Sequence, residues 1–379
     1  MVLPILSLAG VSFVIAWVVT YAMIRLAPRV GFVDKPGHRK IHDNPKPLGG
    51  GVGIFLGFAV PLAGVLAVVL TSSAVPFSVF NGVKFLQDGT YDAYWSGARQ
   101  QAPMALAILG GALVLHVMGL MDDRRAMGPY SKLLVQLGVA AALVTAFEPL
   151  RVLTALGPVA SIVLTVLWIT AITNAFNFLD NMDGLSAGVA AVCTAAFLVA
   201  ALTIGQWFVA AALALLLGAL LGFLWFNFPP ARIFQGDAGS LVVGFLLGVL
   251  TVRTTFLRPG QDFGAGWYAV FAPVIVLAVP LYDLVVVSII RLSRGKSPFQ
   301  GDTNHFSHRL VARGMSRRTA VLCIYLVTAA TSVAAVVLPH VGSTFLAVLI
   351  FAQTLLILGV VLLLEQHPLP RAEPTKADG

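Results

Sequence analysis

The feature that most constrains this chain is a recurrence of apolar runs, each about twenty residues long and separated by short polar loops. Roughly twenty apolar residues are what an α-helix needs to cross a hydrocarbon core of about 30 Å. Backbone groups in lipid must be satisfied within their own element, and the alternating ten-residue pattern of an outer-membrane barrel is missing from these runs. The expected fold class is therefore all-α, a polytopic transmembrane helical bundle. Runs near residues 3–24, 49–70, 103–121, 133–147, 153–173, 185–204, 207–226, 239–257, 268–290, 319–338 and 342–364 predict about eleven spans. With 58% hydrophobic and 11% charged residues, the composition fits no soluble class.

The first run is too long for a signal-peptide core, lacks a preceding basic residue and is not followed by a small-residue cleavage site, so it reads as a retained span. With the N-terminus outside, the inward loops are 25–48, 122–132, 174–184, 227–238 and 291–318, together with the tail from Glu365. About nineteen of the 24 Lys and Arg residues then face inward and about five outward, the asymmetry of cytoplasmic loops. This sets the C-terminus in the cytoplasm and explains the net charge of +8 as a topology signal with some attraction to membrane lipids. No basic motif interleaved with aromatics is present, so no nucleic-acid partner is expected. Residues 1–364 read as a single transmembrane domain and 365–379 as a disordered cytoplasmic tail. Cys193 and Cys323 lie in apolar runs without partner spacing, which makes them buried inert thiols rather than a disulfide or a zinc site.

In a chain this poor in charge, the acids are placed unevenly. Asp122, Asp123, Asp180, Asp183, Asp237 and Asp302 all fall in inward loops, against Asp88, Asp92, Glu148 and Asp262 outside. A metal-dependent phosphoryl-transfer site needs several carboxylate or amide oxygens near one Mg²⁺, with cations for the phosphates. The pair Asp122-Asp123 ends the third span and Lys132 opens the fourth. Adjacent carboxylates repel, and a nearby cation or metal relieves that repulsion. Standing alone, such a pair is better explained by a solvated turn at a helix end.

The segment from Asn174 to Gly184 is more specific, because Asn174, Asn177, Asp180 and Asp183 recur at every third position. Residues three apart on a helical turn share a face, so Asn177, Asp180 and Asp183 are expected to converge on one ligand. Capping explains one or two such residues but not all four. Gly236-Asp237-Ala238-Gly239-Ser240 opens the eighth span, where free backbone N–H groups can face an anion and Asp237 can hold a cation that bridges phosphate oxygens. Between spans nine and ten, His305, His308 and Arg309 sit in a basic loop with donors suited to a pyrophosphate. Two His at this spacing without Cys or Glu do not make a zinc site. The opening loop from Asp34 to Gly51 is stiffened by prolines and ends in glycines that permit close packing or backbone approach to a ligand. Asp283, buried in span nine about two turns before Arg291, needs a partner or a role, whereas His116 reads as a packed, hydrogen-bonded side chain.

Taken in order from about Asp34 to Arg318, these segments resemble the polyprenyl-phosphate N-acetylhexosamine-1-phosphate transferase family. That family includes the bacterial enzymes that begin O-antigen, enterobacterial common antigen and teichoic acid synthesis, and the phospho-MurNAc-pentapeptide translocase. The matching residues are the Asp34-to-Gly50 loop, Asp122-Asp123 with Lys132, the Asn174-to-Gly184 run, Gly236-to-Ser240, Pro280 with Asp283 and Arg291, and the His305-to-Leu310 segment. Asn181 stands where the family usually has Gly, and the His-x-x-His-Arg segment looks more like the GlcNAc-type branch than the pentapeptide translocase.

The resemblance implies an inner (plasma) membrane transferase acting on the cytoplasmic face. It would pass N-acetylhexosamine 1-phosphate, GlcNAc first, from a UDP-N-acetylhexosamine to polyprenyl (undecaprenyl) phosphate. UMP would be released in the first membrane step of cell-surface polysaccharide synthesis. It further implies Mg²⁺, with Mn²⁺ as a substitute, held by Asp237 with Asn177. Asp122, Asp123 and Lys132 would be catalytic, and Asn174, Asn177, Asp180, Asp183, His305, His308 and Arg309 would bind substrate. A homodimer is a further expectation. Direct attack and a covalent aspartyl intermediate both remain open at this level. The rival reading, a transporter or flippase of lipid-linked or anionic solutes, predicts charged residues near mid-membrane on several spans, and here only His116 and Asp283 qualify.

Overall fold

The computed structural model describes residues 1–34, 45–72, 90–254, 271–299, 302, 304–341 and 343–366. The chain is a helical membrane protein. Among the described residues, eight helices are long and apolar enough to cross a bilayer. They are α1 (Val2–Arg29), α2 (Gly50–Thr71), α3 (Thr90–Arg124), α4 (Pro129–Ala146), α5 (Pro158–Leu179), α6 (Leu185–Thr203), α7 (Trp207–Asn227) and, following the others, Thr344–Gln366. Two segments expected to span are helical but differ in build. α8 (Asp237–Arg253) has 17 residues. The ninth run is broken at Leu277 into α9 (Ala272–Val276) and α10 (Ala278–Ser293). A short helix, α11 (Phe306–Ala312), then precedes α12 (Arg317–Val337), and Thr344–Gln366 becomes α13. The tail expected to be disordered lies outside the described residues from position 367 onward.

Beside the helices there is a two-residue antiparallel pairing, β1 (Val33–Asp34) with β2 (Lys46–Pro47), which the apolar-run pattern does not signal. It brings the two ends of the first inward loop together, and the loop then docks on the segment before α8. Phe234 N donates to Pro47 O at 2.9 Å, Gly50 N to Phe234 O at 3.0 Å and Gly51 N to Gln235 O at 2.9 Å. The histidines of that loop, His38 and His42, lie outside the described residues.

The core sits around α8, whose side chains are buried along nearly its whole length. α5 and α3 pack against it, α1 packs on α7, and α6 packs on α7. Without a hydrophobic driving force between helices in lipid, close contact depends on small residues. Gly244 of α8 supplies it: a Cβ there would meet the backbone of Ile172 and Thr173 at 2.6–2.9 Å. That approach sets α8 beside α5 one turn below Asn177, which fixes where the end of α5 meets the start of α8. α13 touches its neighbours lightly and is mostly exposed along its apolar length.

Candidate active site

The site begins at the N-terminus of α8. Gly236 adopts a positive φ of 68°, and a Cβ added there would collide with the Asp123 carboxylate. Asp123, in the last turn of α3, accepts the N–H of Asp237 at 2.8 Å and of Ala238 at 3.2 Å. Free N–H groups and the positive end of the helix dipole favour a carboxylate in that place. Asp123 therefore caps α8 from another helix, and its neighbour Asp122 is left to face the site. His116, two turns earlier on α3, stacks on Phe55 at 4.4 Å and meets Ala238 O through Nδ1 at 2.9 Å, a packed hydrogen-bonded side chain as expected.

Lys132 lies in the first turn of α4, which Pro129 starts at its N1 position. Its ammonium sits 2.7 Å from Asp237 Oδ2 and 3.1 Å from Asp122 Oδ2, and Asp122 Oδ1 accepts Met127 N at 2.6 Å. From α5, the Asn177 amide donates to Asp237 Oδ1 at 3.0 Å and to Ser240 Oγ at 2.9 Å. Asp180 follows as the C-cap residue of α5 and makes no side-chain hydrogen bond among the described residues. Burial pushes its carboxyl well above the usual range, and the charges of Asp237, Asp123 and Asp183 push the same way. The structure thus gathers Asp122, Asp123, Lys132, Asn177, Asp180 and Asp237 into one cluster with more carboxylates than cations.

Two residues of the three-residue repeat are placed elsewhere. Asn174 lies one turn deeper and donates to Gln136 Oε1 of α4 at 2.5 Å and to Thr170 O at 2.8 Å, so it joins two helices instead of facing ligand. Asp183 leaves the shared face because α5 ends at Leu179 and the chain turns before α6. Its carboxylate accepts Ala231 N at 2.9 Å, while Gly184 N donates to Asn227 Oδ1 at 2.9 Å. The repeat of three carries a common face only while the helix lasts.

The histidine loop is likewise divided. His305 is committed on both ring nitrogens, with Nδ1 2.8 Å from Asp283 Oδ2 and Nε2 3.2 Å from an Arg291 nitrogen. Asp283 also accepts Phe306 N at 2.6 Å, which provides the buried acid with its partner. Arg291 does not pair with Asp283. It grips Asp302 at 3.1 and 3.2 Å, and although burial raises the Asp302 carboxyl, bonds from Arg291 and Asn304 hold it at about 2. Arg309, expected to face phosphate, is engaged by Glu365 of α13 at 2.9 and 3.0 Å. His308 makes no hydrogen bond among the described residues. Its imidazole is lowered from the ordinary value by burial first and by nearby His305 next. Ser307 Oγ donates to Asn181 Oδ1 at 2.5 Å, fastening α11 to the turn after Asp180.

Gln136, Glu365 and the Asn181–Ser307 pair were missed by sequence reasoning. For Glu365 the signal was present, an acid at the end of an otherwise apolar run. Among the described residues no group of three or more His, Cys, Asp or Glu side chains is arranged to hold an ion unaided. Mg²⁺ commonly binds through one or two carboxylates plus substrate phosphates; Asp237 offers one carboxylate, whose oxygens here take Lys132 and the Asn177 amide N–H, so Asn177 would have to turn its carbonyl oxygen toward the ion to share in holding it. The surplus of carboxylates would also be relieved by a divalent cation.

Residues 105–255, which hold α8, Asp122, Asp123, Lys132 and Asn177, match the model of a family described as glycosyl transferase family 4. The chain is 35% identical over 337 residues to a probable undecaprenyl-phosphate N-acetylglucosaminyl 1-phosphate transferase of Bacillus subtilis, covering 86% of this chain and 83% of that protein. It is 31% identical over 344 residues to a decaprenyl-phosphate N-acetylglucosaminephosphotransferase of Mycolicibacterium smegmatis, covering 85% and 79% respectively. An undecaprenyl-phosphate alpha-N-acetylglucosaminyl 1-phosphate transferase of Escherichia coli K12 is 28% identical over 321 residues, covering 80% and 76%. With the acid cluster around Lys132 inside the matched region and 35% identity to a relative over 86% of the chain, the chain belongs to glycosyl transferase family 4.

Proposed function

We propose that this protein transfers N-acetylglucosamine 1-phosphate from UDP-N-acetylglucosamine to a polyprenyl phosphate in the membrane, releasing UMP. The observation that carries the reading is the Lys132 ammonium held between Asp122 and Asp237 beside Asn177, in a family whose relatives are named for this reaction. The lipid phosphate oxygen attacks the β-phosphorus in line. The bond from that phosphorus to the bridging oxygen breaks, UMP leaves, and a polyprenyl-diphospho-sugar forms. Lys132 meets the phosphate charge, Asp122 accepts the proton of the lipid phosphate, and Asp180 and His308 line the nucleotide side. Asp123 holds the start of α8 in place. Asp237 and Asn177 would hold Mg²⁺, which Mn²⁺ can replace; when bound it neutralises diphosphate charge.

Eleven spans are proposed, the eight long apolar helices with α8, the broken α9–α10 pair and α12. The inward bias of Lys and Arg supports an outside N-terminus, a cytoplasmic C-terminus and an active site on the cytoplasmic face of the plasma (inner) membrane. The test is direct: purified protein in detergent with polyprenyl phosphate, Mg²⁺ and labelled UDP-N-acetylglucosamine should release UMP, and Asp237→Ala should abolish release. Turnover that persists undiminished in excess chelator would overturn the metal assignment. A panel of other UDP-sugars in the same assay reads the sugar preference.

A further inference from the structure

We infer that Glu365 is a positioning residue for this site: through Arg309 it latches α11, and with it the histidine loop, against the acid turn that follows α5. The inference rests on the proposed transfer reaction for its kinetic readout. α13 is lightly packed and apolar, yet its last turn carries a carboxylate that is only 5% exposed. A carboxylate at such a place is expensive without partners, and Glu365 has three bonds: the two from the Arg309 fork and one from the Tyr282 hydroxyl at 3.2 Å. Arg309 extends the connection through Nη1 to Asn304 O. Asn304 binds Asp302 through its backbone N–H at 3.1 Å and its amide at 2.7 Å, and Asp302 holds Arg291. Arg291 also donates to Pro298 O at 2.5 Å and lies over the Phe178 ring at 4.9 Å. On the opposite side of α11, Ser307 reaches Asn181, next to Asp180.

The chain of bonds therefore runs from the end of α13 to the turn that presents Asp180. A guanidinium already gripped by a carboxylate through two nitrogens has its charge offset and its planar fork occupied. Arg309 then serves by holding α11, and the uncommitted imidazole of His308, the preceding residue, is left to meet the diphosphate.

The experiment compares wild type, Glu365→Gln, Arg309→Gln and the double variant as full chains in lipid-containing micelles. Each single change should raise KM for the UDP-sugar roughly ten-fold while KM for polyprenyl phosphate stays within about two-fold, and the double variant should be no worse than either single. The exchanged pair, Arg309→Glu with Glu365→Arg, should recover part of the loss. A double variant carrying the product of the two losses, or a Glu365→Gln protein equal to wild type, would overturn the inference and return Arg309 to direct phosphate contact. Amide hydrogen exchange across residues 306–312 needs no turnover. It should accelerate in Glu365→Gln, and unchanged exchange overturns the latch. A wild-type protein that releases no UMP sinks the transferase reading alone.

Discussion

At the scale of single residues, charge balance decides the site. Lys132 lies between two carboxylates, so its loss removes the compensation for Asp122 and Asp237 and, on the proposed function, a phosphate partner. Lys132→Met is expected to lower kcat by about 10²–10³-fold, measured as UMP release, because a preorganised donor facing developing charge is worth that much. Lys132→Arg should not restore it, since a planar fork does not replace a compact ammonium. Gly236→Ala should destabilise the protein by about 1–3 kcal/mol, read by thermal unfolding, because the backbone there has φ of 68° and a Cβ meets Asp123. Asp302 gives a pH dependence with a definite sign. Its carboxyl is held at about 2 in the fold against an ordinary 3.8, so the unfolded chain binds more protons between those values and stability rises with pH there. The stability advantage of wild type over Asp302→Asn should be complete above about pH 4, shrink toward pH 2 and vanish below it.

At the scale of elements, the pairing of α4 with α5 sets the reach of Lys132. Gln136 follows Lys132 by one turn on α4, Asn174 precedes Asn177 by one turn on α5, and the two amides join at 2.5 Å. Gln136→Leu should cost about 1 kcal/mol of stability, the scale of an interhelical hydrogen bond in lipid. It should lower kcat more than it raises KM, as the lysine loses its register against Asp237. This pairing explains what was legible in the sequence. Asp122, Lys132, Asn177 and Asp237, which the structure brings together, stand out in the sequence because their residue types announce their chemistry, each at the end of an apolar run. Asn174 and Asp183 were grouped with them by spacing alone, and spacing says nothing about where α5 stops. Gln136 gave no signal, because a lone amide in an apolar run shows its partner only when two helices are set side by side. His305 and Arg309 have the right chemistry for phosphate, but buried carboxylates reached from distant segments claimed them first.

At the scale of the whole molecule, hydropathy fixed the class and most boundaries, since about twenty residues per crossing is a requirement of the bilayer itself. It described α8 and the α9–α10 pair less well, because helices buried by other helices need neither full length nor continuity. The proposed sidedness has its own test. In a background without cysteine, Ser72→Cys should react with a membrane-impermeant maleimide from outside the cell and Ser297→Cys should react only after the membrane is opened; the reverse pattern would invert the topology.

The light packing of α13 has a consequence in time as well as in space. Among the described residues, the carboxylates around Lys132 all precede the end of α8, whereas Glu365 lies in the last element in chain order. On the inferred latch, the histidine loop is expected to stay unlatched until α13, which carries Glu365, has joined the bundle. A chain truncated before α13 is then expected to keep the acid cluster but to lose protection from amide exchange across residues 306–312, the same signature predicted for Glu365→Gln.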